Sequence, residues 1–101
     1  MNISKLESAI EKKLDELGVP SKLNGYHYIK TGCMLVYKDD RLLSLVTKIL
    51  YPEIAKIHST TVVRVERSMR NAIDVMFKRN DKLRKRPTNS ALITTIVASL
   101  Q

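Results

Sequence analysis

One stretch of this 101-residue chain carries polar side chains at a spacing that suits the binding of another molecule. On a helix over residues 61–78, with about 100° between successive residues, these side chains fall within an arc of about 120°. They are Arg64, Arg67, Arg70, Asn71, Asp74 and Lys78. The opposite side holds Val65, Met69, Ala72, Ile73 and Met76. We expect one face of this helix to pack on a core and the other to present cations.

The polar face has the residue types that bind the base edges of duplex DNA. Arginine forks pair with guanine, asparagine pairs with adenine, and the major groove is wide enough for one helix. Glu66, at the edge of the face, can accept a hydrogen bond from a cytosine amino group. Thr60, Thr61 and the first N–H groups of the helix can hold a phosphate. The alternative is a solvated helix face, but lysine would serve solubility equally well, so the arginines favour DNA.

Positive charge is concentrated in this helix and just after it. The chain has 18 Lys and Arg against 10 Asp and Glu, a formal net charge of +8. Residues 64–86 hold nine basic and three acidic side chains, which is +6 of that total. The connector after the helix contributes Lys82, Arg84, Lys85 and Arg86, which we expect to contact phosphates. A solvated loop and a nuclear signal are the other interpretations of this cluster.

Other chemistry has no support in the sequence. Cys33 is the only cysteine, so the chain has no internal disulfide and no zinc-binding spacing, and a core position is expected for it. His27 and His58 have no carboxylate or cysteine at ligand spacing, and we expect surface or packing roles for them. The chain has no Gly-rich phosphate loop, nucleophile elbow or paired catalytic carboxylates. We therefore expect no enzyme activity, metal, cofactor or small-molecule substrate.

The composition favours an all-α fold. One Phe, no Trp, three Gly and three Pro are too few strand and turn residues for a β-sandwich or barrel. Apolar residues at three-four spacing (Ile3, Leu6, Ile10, Leu14 and Leu17) predict a first helix, ended by Gly18. No apolar run approaches the ~18 residues of a membrane span and no signal peptide is apparent, so a cytoplasmic location without membrane contact is expected.

Two further helices are predicted before residue 52. The second runs from about Gly25 to Tyr37, with Asn24 as its cap. The third begins after Asp39 or Asp40 and has the apolar face Leu42, Leu45, Val46, Ile49 and Leu50. Pro52 is expected to end or interrupt it, because proline lacks a backbone N–H.

A helix-turn-helix is predicted over about residues 52–78. Pro52 suits the first position of a short helix to about His58, which carries Ile54, Ala55 and Ile57. The Ser59-Thr60-Thr61 run then caps the long helix. After a connector over residues 79–87, a cap at Thr88, Asn89 or Ser90 begins a last helix whose buried residues are Leu92, Ile93, Ile96, Val97 and Leu100. Residues 1–101 are thus expected to form a single helix-turn-helix domain, a small bundle of five to six helices.

Several motifs in chain order resemble a known family. They are Leu17-Gly18-Val19-Pro20, Gly25-Tyr26-x-Tyr28, Val36-Tyr37-x-Asp39, Thr47-Lys48-x-Leu50-Tyr51-Pro52-x-Ile54-Ala55-Lys56, Thr60-Thr61-x-x-Arg64-Val65-Glu66-Arg67-x-x-Arg70-x-Ala72-Ile73 and Pro87-Thr88-Asn89-Ser90. The chain is similar to the C-terminal DNA-binding effector domain of the stage zero sporulation protein A family. The resemblance implies an all-helical domain whose recognition helix binds a short DNA box, often in tandem copies. It also implies that Arg64, Glu66, Arg67 and Arg70 face the groove.

The chain departs from the family pattern in three respects. It begins at the effector domain, so control through a phosphoacceptor receiver domain is expected to be absent. The connector between the recognition helix and the last helix is shorter than in the family. Asn71 stands where the family usually has histidine, Val62 and Val63 replace smaller residues, and His58 replaces an aromatic residue. Asn71 and Val63 are expected to shift the preferred sequence, because asparagine favours adenine and a valine methyl can meet a thymine methyl.

These observations predict a stand-alone, sequence-specific DNA-binding transcriptional regulator of the helix-turn-helix class. Its partners are double-stranded DNA and, on tandem sites, a second copy of the chain. The alternative is a protein interaction module of the same fold that modulates a sporulation-type regulator, and a third hypothesis is sequence-independent binding. Retention of the arginines favours the first. Free of DNA the protein is expected to be monomeric, because each apolar stripe has a use within the bundle.

Overall fold

The computed structural model describes residues 1–101 and contains helices but no strand. The five α-helices are α1 (Ile3–Leu17), α2 (Asn24–Lys38), α3 (Tyr51–Ile57), α4 (Val62–Arg79) and α5 (Asn89–Ala98). A 3₁₀-helix (Asp40–Ser44) and a π-helical turn (Val46–Leu50) connect α2 to α3. The predicted all-α bundle is confirmed. None of the helices combines the length and the hydrophobicity that a membrane span requires.

Helix α1 has the predicted bounds and the predicted end. The Asn2 side chain accepts a hydrogen bond from the Lys5 N–H at 2.8 Å, which caps the first turn. Gly18 ends the helix with φ at 90°, the left-handed conformation that glycine adopts without strain. Leu6, Ile10 and Leu14 are buried, whereas Ile3 in the first turn is 61% exposed. The predicted apolar stripe is thus covered only from its second member onward.

Helix α2 lies at the centre of the bundle and touches α4 backbone to backbone. A Cβ on Gly25 would lie 2.0 Å from the Ser68 carbonyl oxygen and 2.7 Å from the Ala72 Cβ, so only glycine fits there. The predicted cap was wrong: α2 already includes Asn24, and the cap residue Leu23 makes no side-chain hydrogen bond. The same close approach of α2 and α4 places this helix end beside the polar side of α4.

The predicted third helix was wrong. The Asp39 side chain accepts a hydrogen bond from the Arg41 N–H, but the helix it caps is a 3₁₀-helix that ends at Ser44. Pro52 has no N–H to donate to the carbonyl four residues earlier, and the turn before it widens. In that turn the N–H groups of Leu50 and Tyr51 donate five residues back. Of the apolar face Leu42, Leu45, Val46, Ile49 and Leu50, only Leu50 is buried.

Helices α3 and α4 follow the predicted pattern. Pro52 lies in the first turn of α3. The chain then turns over residues 58–61, between α3 and α4. The Thr61 side chain accepts a hydrogen bond from the Arg64 N–H at 3.2 Å and caps α4. All five residues of the predicted apolar face of α4 are buried. Ile57 differs from the prediction, because it lies on the outer side of α3 and is 55% exposed.

Helix α5 closes the bundle against α2, with further contacts to α4 and α1. Thr88 is its cap and accepts a hydrogen bond from the Ala91 N–H at 3.1 Å. The predicted core residues Leu92, Ile93, Ile96 and Val97 are buried, and Leu100, past the end of the helix, is half-buried. The four buried residues belong to one hydrophobic cluster of 22 residues, and Leu100 packs against it.

Candidate nucleic-acid interface

The solvent side of α4 carries the predicted polar residues on one continuous face. Its exposed members are Val63, Arg64, Arg67, Arg70, Asn71 and Lys78, and its half-buried members are Glu66 and Asp74. We call this set the α4 polar face. Val63 is 58% exposed, and an apolar side chain that faces solvent here is available for contact with a ligand.

The first turn of α4 provides donors for a bound anion. The Thr60 N–H is already used, because it donates to the Ala55 carbonyl at 2.9 Å. The Thr61 hydroxyl oxygen accepts from the Arg64 N–H, but its own proton stays free to donate. The N–H groups of Val62 and Val63 have no acceptor within the chain. Two backbone donors therefore point out of the helix N-terminus, where the helix dipole also favours an anion.

Two members of the α4 polar face are paired with each other. Arg70 Nη2 donates to Glu66 Oε2 at 2.9 Å, one turn apart on the helix. Arg70 is exposed and Glu66 is half-buried, and an ion pair one turn apart on a helix surface contributes only about 0.3–0.5 kcal/mol. The sequence predicted a separate contact with DNA for each of these two residues. The structure shows a weak pair whose partners can be exchanged for other polar groups.

The connector of residues 80–87 holds its basic side chains in two different ways. Lys82, Arg84 and Lys85 are exposed, and none of them makes an ion pair. Arg86 is bound to α4: its Nε donates to Asp74 Oδ1, and its Nη2 donates to the Arg70 carbonyl oxygen at 3.1 Å. Three of the four predicted phosphate contacts are thus free in this structure, and the fourth already has partners.

Asn89 is a residue of the site region whose role the sequence did not reveal. It was a candidate cap, but Thr88 has that role and the Asn89 side chain is buried. Asn89 Nδ2 donates to the Tyr51 hydroxyl at 3.1 Å and to the Glu66 carbonyl oxygen at 3.3 Å. The side chain therefore joins α3, α4 and α5 behind the α4 polar face. No local pattern signals this, because Asn89 and its two partners are far apart in the chain.

The two histidines and the cysteine lie away from the α4 polar face. His58 Nε2 is 2.7 Å from Thr31 Oγ1, and its ring packs edge-on against Tyr28. Burial, followed by the charges of His27 and Lys30, lowers the pKa of His58. Burial raises the pKa of the Cys33 thiol to about 12, so the thiol stays protonated. His58 and Cys33 thus have packing roles, which agrees with the expectation for these isolated residues.

The fold and the α4 polar face define a class, the all-helical DNA-binding domains in which a short helix and a turn precede an exposed basic helix. The chain matches the family described as Sporulation initiation factor Spo0A C terminal over residues 10–100. Because the match covers nearly the whole chain, the protein belongs to this family, and the resemblance predicted from its motifs is confirmed. The family is one of DNA-binding domains in transcription regulation and is not an enzyme family.

Proposed function

We propose that the protein is a sequence-specific DNA-binding transcription regulator that places α4 in the major groove. The observation that carries this proposal is the division of α4 into a fully buried apolar face and an exposed face rich in arginine. A helix anchored along its whole inner side presents its outer side rigidly, as base recognition requires. In this proposal residues 1–101 act as one domain, and α3, the turn and α4 form its helix-turn-helix.

Base contacts are assigned to the side chains that are free at the centre of the α4 polar face. Arg64 and Arg67 are exposed and make no ion pair, so both guanidinium forks are available for guanine. Asn71 is placed to pair with adenine, and Val63 to meet a thymine methyl. Arg70 and Glu66 can exchange their mutual pair for contacts to guanine and to a cytosine amino group.

Phosphate contacts are assigned to groups around the edge of the α4 polar face. At one end are Thr60, Thr61 and the free N–H groups of Val62 and Val63. At the other end are the exposed cations Lys78, Lys82, Arg84 and Lys85, with the remaining donors of Arg86. These contacts orient the domain on the duplex and carry no sequence information.

The test is selection of bound sequences from a random duplex pool, followed by binding of variants to the best duplex. Arg64→Ala and Arg67→Ala are each expected to weaken binding by ~1–3 kcal/mol and to flatten the preference at one base position. Lys12→Ala is the matched control: it removes one exposed cation on α1 and should weaken all duplexes slightly and alike.

Two results would contradict the proposal. If either arginine variant discriminates between sequences as the wild-type protein does, α4 does not contact bases. If the wild-type protein selects no sequence from the pool, the arginines serve sequence-independent binding, or the domain binds another protein.

A further inference from the structure

The connector between α4 and α5 is anchored at its first end by Asn80. The Asn80 carbonyl accepts from the Leu83 N–H at 3.2 Å, and its side-chain oxygen accepts from the Lys82 N–H at 3.2 Å. The Leu83 side chain is half-buried against the hydrophobic core. The chain therefore reverses direction in a defined turn as it leaves α4.

The second end of the connector is anchored by Arg86 on the side of α4. Its guanidinium binds both the Asp74 carboxylate and the Arg70 carbonyl oxygen. Asp74 lies more than one turn before the end of α4, so the connector runs back along the helix instead of extending into solvent. The Arg86 side chain is 31% exposed, unlike Lys82, Arg84 and Lys85, which lie between the two anchors and face solvent.

We propose that Asp74 is a positioning residue for DNA binding. By holding Arg86 it keeps the connector against α4, so that Lys82, Arg84 and Lys85 lie beside the α4 polar face where a DNA backbone would pass. Cations that are held in place before binding lose less conformational freedom when they meet phosphates. This inference rests on the proposed function and adds a role for an acidic residue within the α4 polar face.

A positioning role and simple electrostatics predict opposite changes in DNA affinity when the Asp74 carboxylate is removed. A carboxylate on a DNA-binding face repels phosphates, so its removal alone should tighten binding and should also release Arg86 for a phosphate contact. A positioning role requires that removal weaken binding, because the connector cations are then no longer held beside α4. The sign of the change therefore separates a positioning residue from a mere acidic neighbour.

The experiment compares Asp74→Asn with Asp81→Asn. Both substitutions remove one negative charge near the connector, but Asp81 is exposed and makes no ion pair. Binding to the selected duplex and to a random duplex is measured over a series of salt concentrations. We expect Asp74→Asn to bind both duplexes about 3- to 10-fold more weakly, with the slope of log K against log salt reduced by about 0.9 for each phosphate that is no longer bound. Asp81→Asn should bind as tightly as the wild-type protein or more tightly.

Asp74→Glu should restore wild-type affinity and slope, because a longer carboxylate can still reach Arg86. If Asp74→Asn binds more tightly, as Asp81→Asn does, the positioning role is wrong. Should thermal unfolding show that Asp74→Asn is unfolded, Arg86→Lys replaces it: this variant keeps the charge but loses the fork, and a wild-type slope would overturn the inference. A wild-type protein without salt-dependent binding to any duplex overturns the proposed function itself, which is a distinguishable result.

Discussion

Helix α4 and the segment from Asp39 to Leu50 both carry apolar residues at helical spacing, yet they differ in how the rest of the protein holds them. Five apolar side chains of α4 are buried, Gly25 brings α2 against its backbone, and Asn89 binds one of its carbonyls. The segment buries only Leu50 and changes from 3₁₀ to π geometry. A regular helix here depends on neighbours on several sides and not on apolar spacing alone.

The largest loss of stability should come from a methyl group placed in the contact between α2 and α4. Gly25→Ala would place a methyl 2.0 Å from the Ser68 carbonyl oxygen, which is backbone and cannot turn away. We expect a loss of about 3 kcal/mol or more in the free energy of unfolding, measured by urea denaturation. The control in the other region is Ile49→Ala, at a side chain that is 39% exposed, with an expected change within about 0.5 kcal/mol. Equal losses would mean that α4 is no more tightly held than the segment.

The second-largest loss of stability is expected from removal of the hydrogen bonds behind the α4 polar face. Asn89→Ala removes both donors and leaves the Glu66 carbonyl oxygen without that partner, at an expected cost of about 1–3 kcal/mol. Tyr51→Phe removes the acceptor of only one bond and should cost less. Thermal unfolding of both variants measures the difference. A larger loss for Tyr51→Phe would show that the phenol, and not Asn89, is the main link between the helices.

The smallest change in the free energy of unfolding is expected from a substitution of His58, beside the turn into α4. Burial lowers the pKa of its imidazole below the ordinary 6.5, so near that pH the unfolded chain binds more protons than the folded one. Stability is therefore fully present above about pH 6.5 and decreases as the pH falls through the folded pKa. His58→Gln should show a shallower decrease in the free energy of unfolding between about pH 7.5 and 5. Identical profiles would mean that His58 does not titrate differently in the folded state.

Much of the fold was predictable because its signals are local. The Gly18 end of α1, the Thr61 cap and the buried stripe of α4 each follow from residues within a few turns of one helix. The same holds for the exposed arginines of the α4 polar face, since the side opposite a buried stripe must face solvent. The irregular helix before Pro52 was not predictable, because its apolar residues other than Leu50 are covered only in part, and this depends on how the helices pack. Lys82, Arg84, Lys85 and Arg86 were predicted as one cluster, although one of the four is bound to α4.

The helical class, the family and the two-sided character of α4 follow from the amino-acid sequence alone, because hydrophobic period, capping residues and motif spacing are properties of short stretches of chain. Three features depend instead on the packing of the helices: Gly25 must lack a side chain, Asn89 joins three helices, and Arg86 is bound by Asp74. Each of these contacts joins residues 12 or more positions apart in the chain, and a pairing at such distance is set by how whole helices pack and not by any local preference.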